Sequence, residues 1–386
     1  MRKQIISMCL LLALAAICIT PVGAVELELA APSAVLLDLE TGTVLYESNA
    51  HERLAPASVT KVMTLLLIME AIDSGKIGWQ DTVTASEAAA AKGGSQVYLK
   101  VGETMTVEEM VKSIAVASAN DCACAMAEFI AGSEAGFVER MNQRAHELGM
   151  ENTHFVNCTG LDDEPEASEH LTTAYDIALM SRELLKNHSQ IKKFTTIWMD
   201  SVRGGAFGLS NTNKLVRFYD GTTGLKTGYT SAAGHCLSAS AQREGLELVA
   251  VVLNCKSSSD RFQSAKQLLD YGFANFALVP VQEAAPAPIP VVLGTQATVQ
   301  PVVQANESLL IDKALRQGVT RTVTLPESLD APVAQGQRLG TLTLESGGEV
   351  LAEVPLVAET AVPRLTWGQM FMEALREILM AKKPGA

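Results

Sequence analysis

Apolar and polar positions change their period several times along the chain, and each change predicts a different element. Ser33-Ala-Val-Leu-Leu-Asp-Leu39 and Val44-Leu-Tyr46 flank the Glu40-Thr-Gly-Thr43 turn and read as two strands. Val62, Leu65, Leu66 and Met69 recur at helical spacing within 58–74, and Gly75 is placed to stop that helix. Similar spacing predicts helices over 107–117, 121–131, 134–148 and 172–187. From Thr222 the texture turns to strands, over Leu225–Thr230, Gly234–Ala241 and Leu246–Leu253, with a closing helix at 258–276. Strands at both ends of a long helical stretch are expected to pair in one antiparallel sheet. The expected fold class is therefore α+β, an antiparallel sheet with a helical insert, over residues 25–279.

The pattern changes again beyond that block. Residues 280–290, Pro-Val-Gln-Glu-Ala-Ala-Pro-Ala-Pro-Ile-Pro, have the composition of a linker. Short Val, Thr and Leu segments separated by Gly, Pro, Asn and Asp predict a small all-β domain over 291–360. In the tail, 364–383, Trp367, Met370, Phe371, Ala374, Leu375, Ile378 and Leu379 fall on one helical face. Arg364, Arg376, Lys382 and Lys383 outnumber Glu373 and Glu377 there. This is the pattern of an amphipathic helix lying in a membrane interface, with packing on its own domain or on a partner as the alternative.

The N-terminus reads as an export signal. Arg2 and Lys3 precede an apolar run from Ser7 to Ile19, and Pro21-Val-Gly-Ala24 supplies a break and a small-residue cleavage site. Cleavage is expected after Ala24. The run is short for a membrane span of about 20 residues. Cys18 is a poor lipid-attachment site because Ile17 before it is bulky.

Composition narrows the function classes. The 386 residues are 48% hydrophobic and 19% charged, enough for a sizeable core and unlike a disordered chain. The formal charge is −13, and −15 once Arg2 and Lys3 leave with the signal. An acidic body with 5% aromatics lacks the basic face and stacking platforms that nucleic acid requires, so no nucleic-acid partner is expected. Five cysteines remain after cleavage: Cys122, Cys124, Cys158, Cys236 and Cys255. An odd number does not make a disulfide framework. Cys122-Ala-Cys124 has no second close pair, His146-Glu147 lacks the second His of a zincin, and no Walker A loop is present. No metal or other cofactor is expected.

The positive chemistry is serine-based, although no G-x-S-x-G elbow is present. Ser58-Val-Thr-Lys61 starts a predicted helix, where i and i+3 share a face, so the Lys61 amine reaches the Ser58 hydroxyl. A serine alcohol needs such a neighbouring base, and lysine serves when desolvation or a positive neighbour lowers its pKa. The motif alone is weak, for Ser189-Gln-Ile-Lys192 also matches but has no apolar helix after it. Two unique motifs sharpen it. Ser118-Ala-Asn120 sits at a break between predicted helices, and Lys226-Thr-Gly228 lies on a predicted strand. Lys226 and Thr227 there can hold a substrate carboxylate, and Gly228 is expected to let substrate approach the strand edge.

The ordered set S-x-x-K, S-x-N, K-T-G resembles that of the penicillin-recognising serine enzymes. It is most similar to the low-molecular-weight penicillin-binding proteins, the serine-type D-alanyl-D-alanine carboxypeptidases. Pro56–Thr64, Ser118–Ala123, Phe155–Leu161, Leu171–Asp176 and Gly224–Thr230 all resemble signature stretches of that family. The likeness covers about residues 30–276 and extends to the trailing β domain and tail. It implies that Ser58 attacks the penultimate D-alanine carbonyl, that Lys61 takes its proton, and that Ser118, bonded to Lys61, relays a proton to the leaving amine. It implies that Asn120 orients Lys61 and substrate, that Lys226 and Thr227 bind the terminal carboxylate, and that the Ser58 and Tyr229 N–H groups form the oxyanion hole. Arg261 is a looser match for extra positive charge at that carboxylate. The implied partners are stem peptides ending in D-Ala-D-Ala, β-lactams as covalent inhibitors, and the outer face of the cytoplasmic membrane.

Two positions depart from the family pattern: Tyr229 stands where His is frequent, and Ala119 where Gly is frequent. Neither removes a reacting group. A class A β-lactamase would carry E-x-x-L-N in its deacylation loop, and Asp162–Glu169 does not. A non-catalytic scaffold has no need of Ser58, Lys61, Ser118 and Lys226 together. A peptidase cutting D-Ala cross-links would use the same reacting residues and differ in pocket width.

Overall fold

The computed structural model describes residues 27–163, 165–282, 285–304 and 308–380. The expected signal, 1–24, lies outside the described residues. β1 (Ser33–Asp38) and β2 (Val44–Ser48) form a hairpin, followed by the helices α1 (Lys61–Asp73), α2 (Val107–Ala117), α3 (Asn120–Ala131), α4 (Glu134–Glu147) and α5 (Ala174–Asn187). Then come β3 (Thr222–Thr230), β4 (Gly234–Arg243), β5 (Leu246–Cys255) and α6 (Ser258–Asn275). The two ends of this block meet in one antiparallel sheet of order β2-β1-β5-β4-β3. Its centre is the β1–β5 pairing, with Val35 opposite Val251.

The sheet is covered on both faces, which explains why β1 and β5 read as near-continuous apolar runs. Successive side chains alternate between the faces. Val35, Leu37, Val249, Val251 and Leu253 pack against the helical insert. Ala34, Leu36, Leu248, Ala250 and Val252 pack against Phe262, Ala265, Leu268 and Leu269 of α6. Caps fix where the helices start. Thr106 and Glu109 form a capping box on α2, and Ser133, Thr173 and Ser257 cap α4, α5 and α6.

α1 departs from expectation. Its apolar spacing predicts a helix over 58–74. Instead, Ala57–Thr60 form a 3-10 turn, the α-helix starts at Lys61, and every residue from Lys61 to Met69 is buried. The helix is central, enclosed by the sheet, α2, α3 and α5, so it has no solvent face to mark with polar residues.

After α6, β6 (Phe276–Pro280) pairs with Ser308–Asp312, so Pro280 ends a strand and does not open a free linker. Ile289 likewise already belongs to the next strand, Ile289–Val292. A four-stranded antiparallel sheet follows, centred on the pairing of Arg338–Ser346 with Glu349–Ala358. Its inner residues Leu342, Leu344 and Leu356 form a small separate core. The last element, α7 (Trp367–Met380), leaves its apolar stripe open: Trp367 is 87% exposed, Phe371 67%, Ile378 73% and Leu379 75%.

Candidate active site

The site begins where α1 begins. The 3-10 turn leaves Ser58 half-exposed and points Lys61, three residues on, into the interior. Lys61 Nζ lies 3.0 Å from Ser58 Oγ and 2.7 Å from the Thr159 carbonyl oxygen. Complete burial drives the Lys61 pKa from 10.5 to about 7, with Cys158 and Asp121 acting weakly the other way. An amine poised there is partly neutral at neutral pH and can accept the Ser58 proton.

A loop holds Lys61 from the far side. Asn157 Oδ1 accepts from the Thr159 and Gly160 N–H groups at 3.2 and 2.7 Å, and Asn157 Nδ2 donates to Leu161 O at 3.0 Å. Thr64 Oγ1 donates to Cys158 O at 2.6 Å, so α1 grips two consecutive carbonyls of this loop. Gly160 has φ +78°, and a Cβ there would stand 1.9 Å from Ala57 O. Only glycine permits that approach.

The second wall is the break between α2 and α3. Ser118 is buried in left-handed geometry, φ 63° and ψ 29°, which carries strain in a non-glycine residue. The expected Ser118–Lys61 hydrogen bond is not made among the described residues, where Lys61 Nζ contacts Ser58 Oγ and Thr159 O. Asn120 makes no hydrogen bond to Lys61 among the described residues. Its Nδ2 donates to Gly93 O at 2.7 Å, and its buried Oδ1 has no protein partner.

The third wall is β3, the edge strand of the sheet. Lys226 and Gly228 point to one face at period two. Lys226 is buried, and its Nζ donates to Thr227 O at 2.9 Å. Burial, with Lys61 and Arg261 nearby, holds its pKa well below the usual lysine range. Thr227 Oγ1 donates to Thr212 Oγ1 at 2.6 Å. Tyr229 is 59% exposed, with its ring stacked on His235.

Gly228 packs against the nucleophile turn: a Cβ there would meet Pro56 O at 2.7 Å and Ser58 N at 3.1 Å. The Arg261 guanidinium donates to Gly228 O at 2.8 Å and Cys236 O at 3.4 Å, bracing β3 against β4, and its charge acts on Lys226.

Sequence reasoning missed several supporting residues. Asp121 accepts from the Val97, Leu99 and Cys122 N–H groups and so anchors the 93–99 loop beside Asn120. Val97 and Leu99 lie over 20 residues upstream, and no local motif marks them. Thr60 and His170 also meet the nucleophile turn. All five described cysteines are free and buried. Glu70 and Glu183, which lie near His188, are already bridged by Arg144 at 2.7 Å each.

The arrangement sets a serine hydroxyl against a buried lysine of lowered pKa, walled by a second serine and a lysine-bearing strand edge, a geometry that suits acyl transfer. Comparison with known proteins agrees. A sequence profile of the peptidase S11 family, described as D-alanyl-D-alanine carboxypeptidase, matches residues 20–257. A second, described as the penicillin-binding protein 5 C-terminal domain, matches 279–364. The chain is 46% identical over 340 residues to D-alanyl-D-alanine carboxypeptidase DacF of Bacillus subtilis, covering 86% of each. Penicillin binding protein 5 from Haemophilus influenzae superposes with a TM-score of 0.76 at 29% identity, covering 89% of this chain and 100% of that one. Penicillin-binding protein D2 from Listeria monocytogenes, solved with ampicillin bound, gives 0.56 at 30% identity, over 64% of this chain and 99% of that one. The chain belongs to the peptidase S11 family of serine hydrolases, the D-alanyl-D-alanine carboxypeptidases.

Proposed function

We propose that this chain is a serine DD-carboxypeptidase that removes the terminal D-alanine from peptidoglycan pentapeptide stems. The observation that carries the reading is the 3.0 Å Lys61 Nζ–Ser58 Oγ pair, with Lys61 buried and its pKa brought to about 7. Ser58 Oγ attacks the carbonyl carbon of the penultimate D-alanine while its proton passes to Lys61 Nζ. The N–H groups of Ser58 and Tyr229 receive the developing oxyanion. The C–N bond breaks, and the proton reaches the departing D-alanine amine through the Ser118 hydroxyl. Asn120 orients the substrate backbone, and Lys226 and Thr227 take the terminal carboxylate. Water then attacks the ester, returns a proton to Ser58 through Lys61, and releases the shortened stem. A β-lactam presents an amide and a carboxylate in the same relation and acylates Ser58 in the same way.

Residues 1–24 act as the export signal, 25–279 as the peptidase domain and 291–360 as the β domain. α7 attaches the protein to the outer face of the cytoplasmic membrane. Its uncovered apolar stripe supports an interfacial helix, and no helix among the described residues is long and apolar enough to cross a membrane. The test is release of D-alanine from diacetyl-Lys-D-Ala-D-Ala by the purified chain. Release is expected to vanish in Ser58→Ala. Undiminished release from that variant would remove Ser58 as the nucleophile.

A further inference from the structure

The Ser58 turn depends on one backbone carbonyl. Ala57 is buried and left-handed, with φ +48°, a conformation that costs about 1–3 kcal/mol in a residue with a Cβ. Such a turn persists only if its surroundings fix it. The Ala57 carbonyl oxygen lies against Gly160 and accepts a hydrogen bond from Thr60 Oγ1 at 2.8 Å. A hydroxyl has a single proton, so Thr60 must receive its other contact, from His170 Nε2 at 2.8 Å, as an acceptor. His170 Nδ1 accepts from the Val156 N–H at 3.2 Å, which places the ring proton on Nε2. Each contact in the chain thus fixes the direction of the next, and His170 is buried with its ring edge-on to Phe155. Burial, with His154 and Lys61 nearby, lowers its pKa to about 4, so the ring is neutral at neutral pH.

We propose that His170 is a positioning residue for Ser58: through Thr60 it fixes the Ala57 carbonyl and so the angle at which Ser58 meets Lys61. The inference rests on Ser58 being the nucleophile. It also links two walls of the site. His170 holds Val156 in the segment leading to Thr159, whose carbonyl binds Lys61, and it holds the turn that carries Ser58. Base and nucleophile are therefore aligned through the His170 hydrogen bonds and the short backbone segment from Val156 to Thr159, and a misalignment of about 1 Å costs on the order of 10²-fold in rate.

The test is the rate of acylation of the full chain by a fluorescent penicillin, resolved into non-covalent affinity and the first-order acylation step. Thr60→Val and His170→Phe are expected to slow the acylation step about 10- to 100-fold and to change affinity less than about twofold. Thr60→Ser is expected to restore the rate to within about threefold, and His170→Gln, which keeps a donor near Nε2, to recover part of it. The double variant Thr60→Val/His170→Phe should lose no more than the worse single variant, because both break one chain. Thr60→Val exchanges a hydroxyl for a methyl and carries the test if the change at 170 prevents folding. Wild-type acylation rates in folded Thr60→Val, or losses that multiply in the double variant, would overturn the inference and leave the nucleophile intact. Absence of wild-type labelling at Ser58 would overturn both.

Discussion

Around Ser58 nearly every neighbouring side chain, apolar or charged, is buried, whereas along α7 an equally apolar stripe faces solvent. The two regions use the same residue types to opposite ends. At the nucleophile turn, burial is what makes the chemistry. Removing water lowers the pKa of Lys61, while the packing and hydrogen bonds around the turn hold Ala57 in its left-handed conformation. In α7, Trp367, Phe371, Ile378 and Leu379 have no cover among the described residues, and exposure is what leaves them free to bind a surface. The polar groups of the first region are arranged inward. Those of the second merely keep one helix face wet.

The largest effect that would test this contrast is at Lys61. If burial tunes the base, acylation by penicillin should rise with pH through about 7 and level off above it, as the amine loses its proton. Lys61→Met should lower the rate about 10³-fold and abolish that limb of the profile. Stability carries the same signature. The folded-state pKa lies below the unfolded value of 10.5, so between about 7 and 10.5 the unfolded chain binds more protons and stability rises with pH. A rate profile flat from pH 5 to 9 would show that Lys61 is not the base, with pH values here spanning about two units either side of neutrality.

A smaller effect is expected at Gly228. A methyl there would press on Pro56 O and Ser58 N, and the turn would have to shift by several tenths of an ångström. Gly228→Ala is expected to slow acylation about 10- to 100-fold and to lower the thermal midpoint by a few degrees. Acylation at the wild-type rate would mean that β3 and the turn are not in register-sensitive contact.

How much of this was legible in sequence follows from the range of the interactions. The sheet, the helical insert and α7 declare themselves by periodicity, because their apolar residues repeat within one element. Ser58, Lys61, Ser118 and Lys226 declare themselves by motif. The burial of α1 on all sides was not legible, because such a helix has no polar face to report its setting. What Gly228 and Arg261 touch was not legible, because their contacts, Pro56 O and Cys236 O, belong to distant parts of the chain. For the same reason His170 stayed hidden. Its partner Thr60 lies 110 residues away, and a lone histidine before Leu171-Thr-Thr carries no local sign of what its ring touches.

The smallest effect on turnover is expected in α7, and that is what makes it informative. Phe371 and Ile378 are two turns apart on one face and are both exposed. Burying each in a lipid interface is worth about 1.5–3 kcal/mol, so replacing each with a charged residue should weaken partitioning about tenfold or more. Phe371→Glu/Ile378→Glu is therefore expected to lose sedimentation with vesicles of phosphatidylglycerol and phosphatidylethanolamine. Release of D-alanine from a soluble tripeptide should stay at the wild-type rate, because neither side chain takes part in the hydrogen-bond set around Ser58. Retained vesicle binding would show that the stripe is not the attachment surface. A fall in soluble turnover would show that α7 packs on the peptidase domain after all, and the contrast between a buried site and an open tail would collapse.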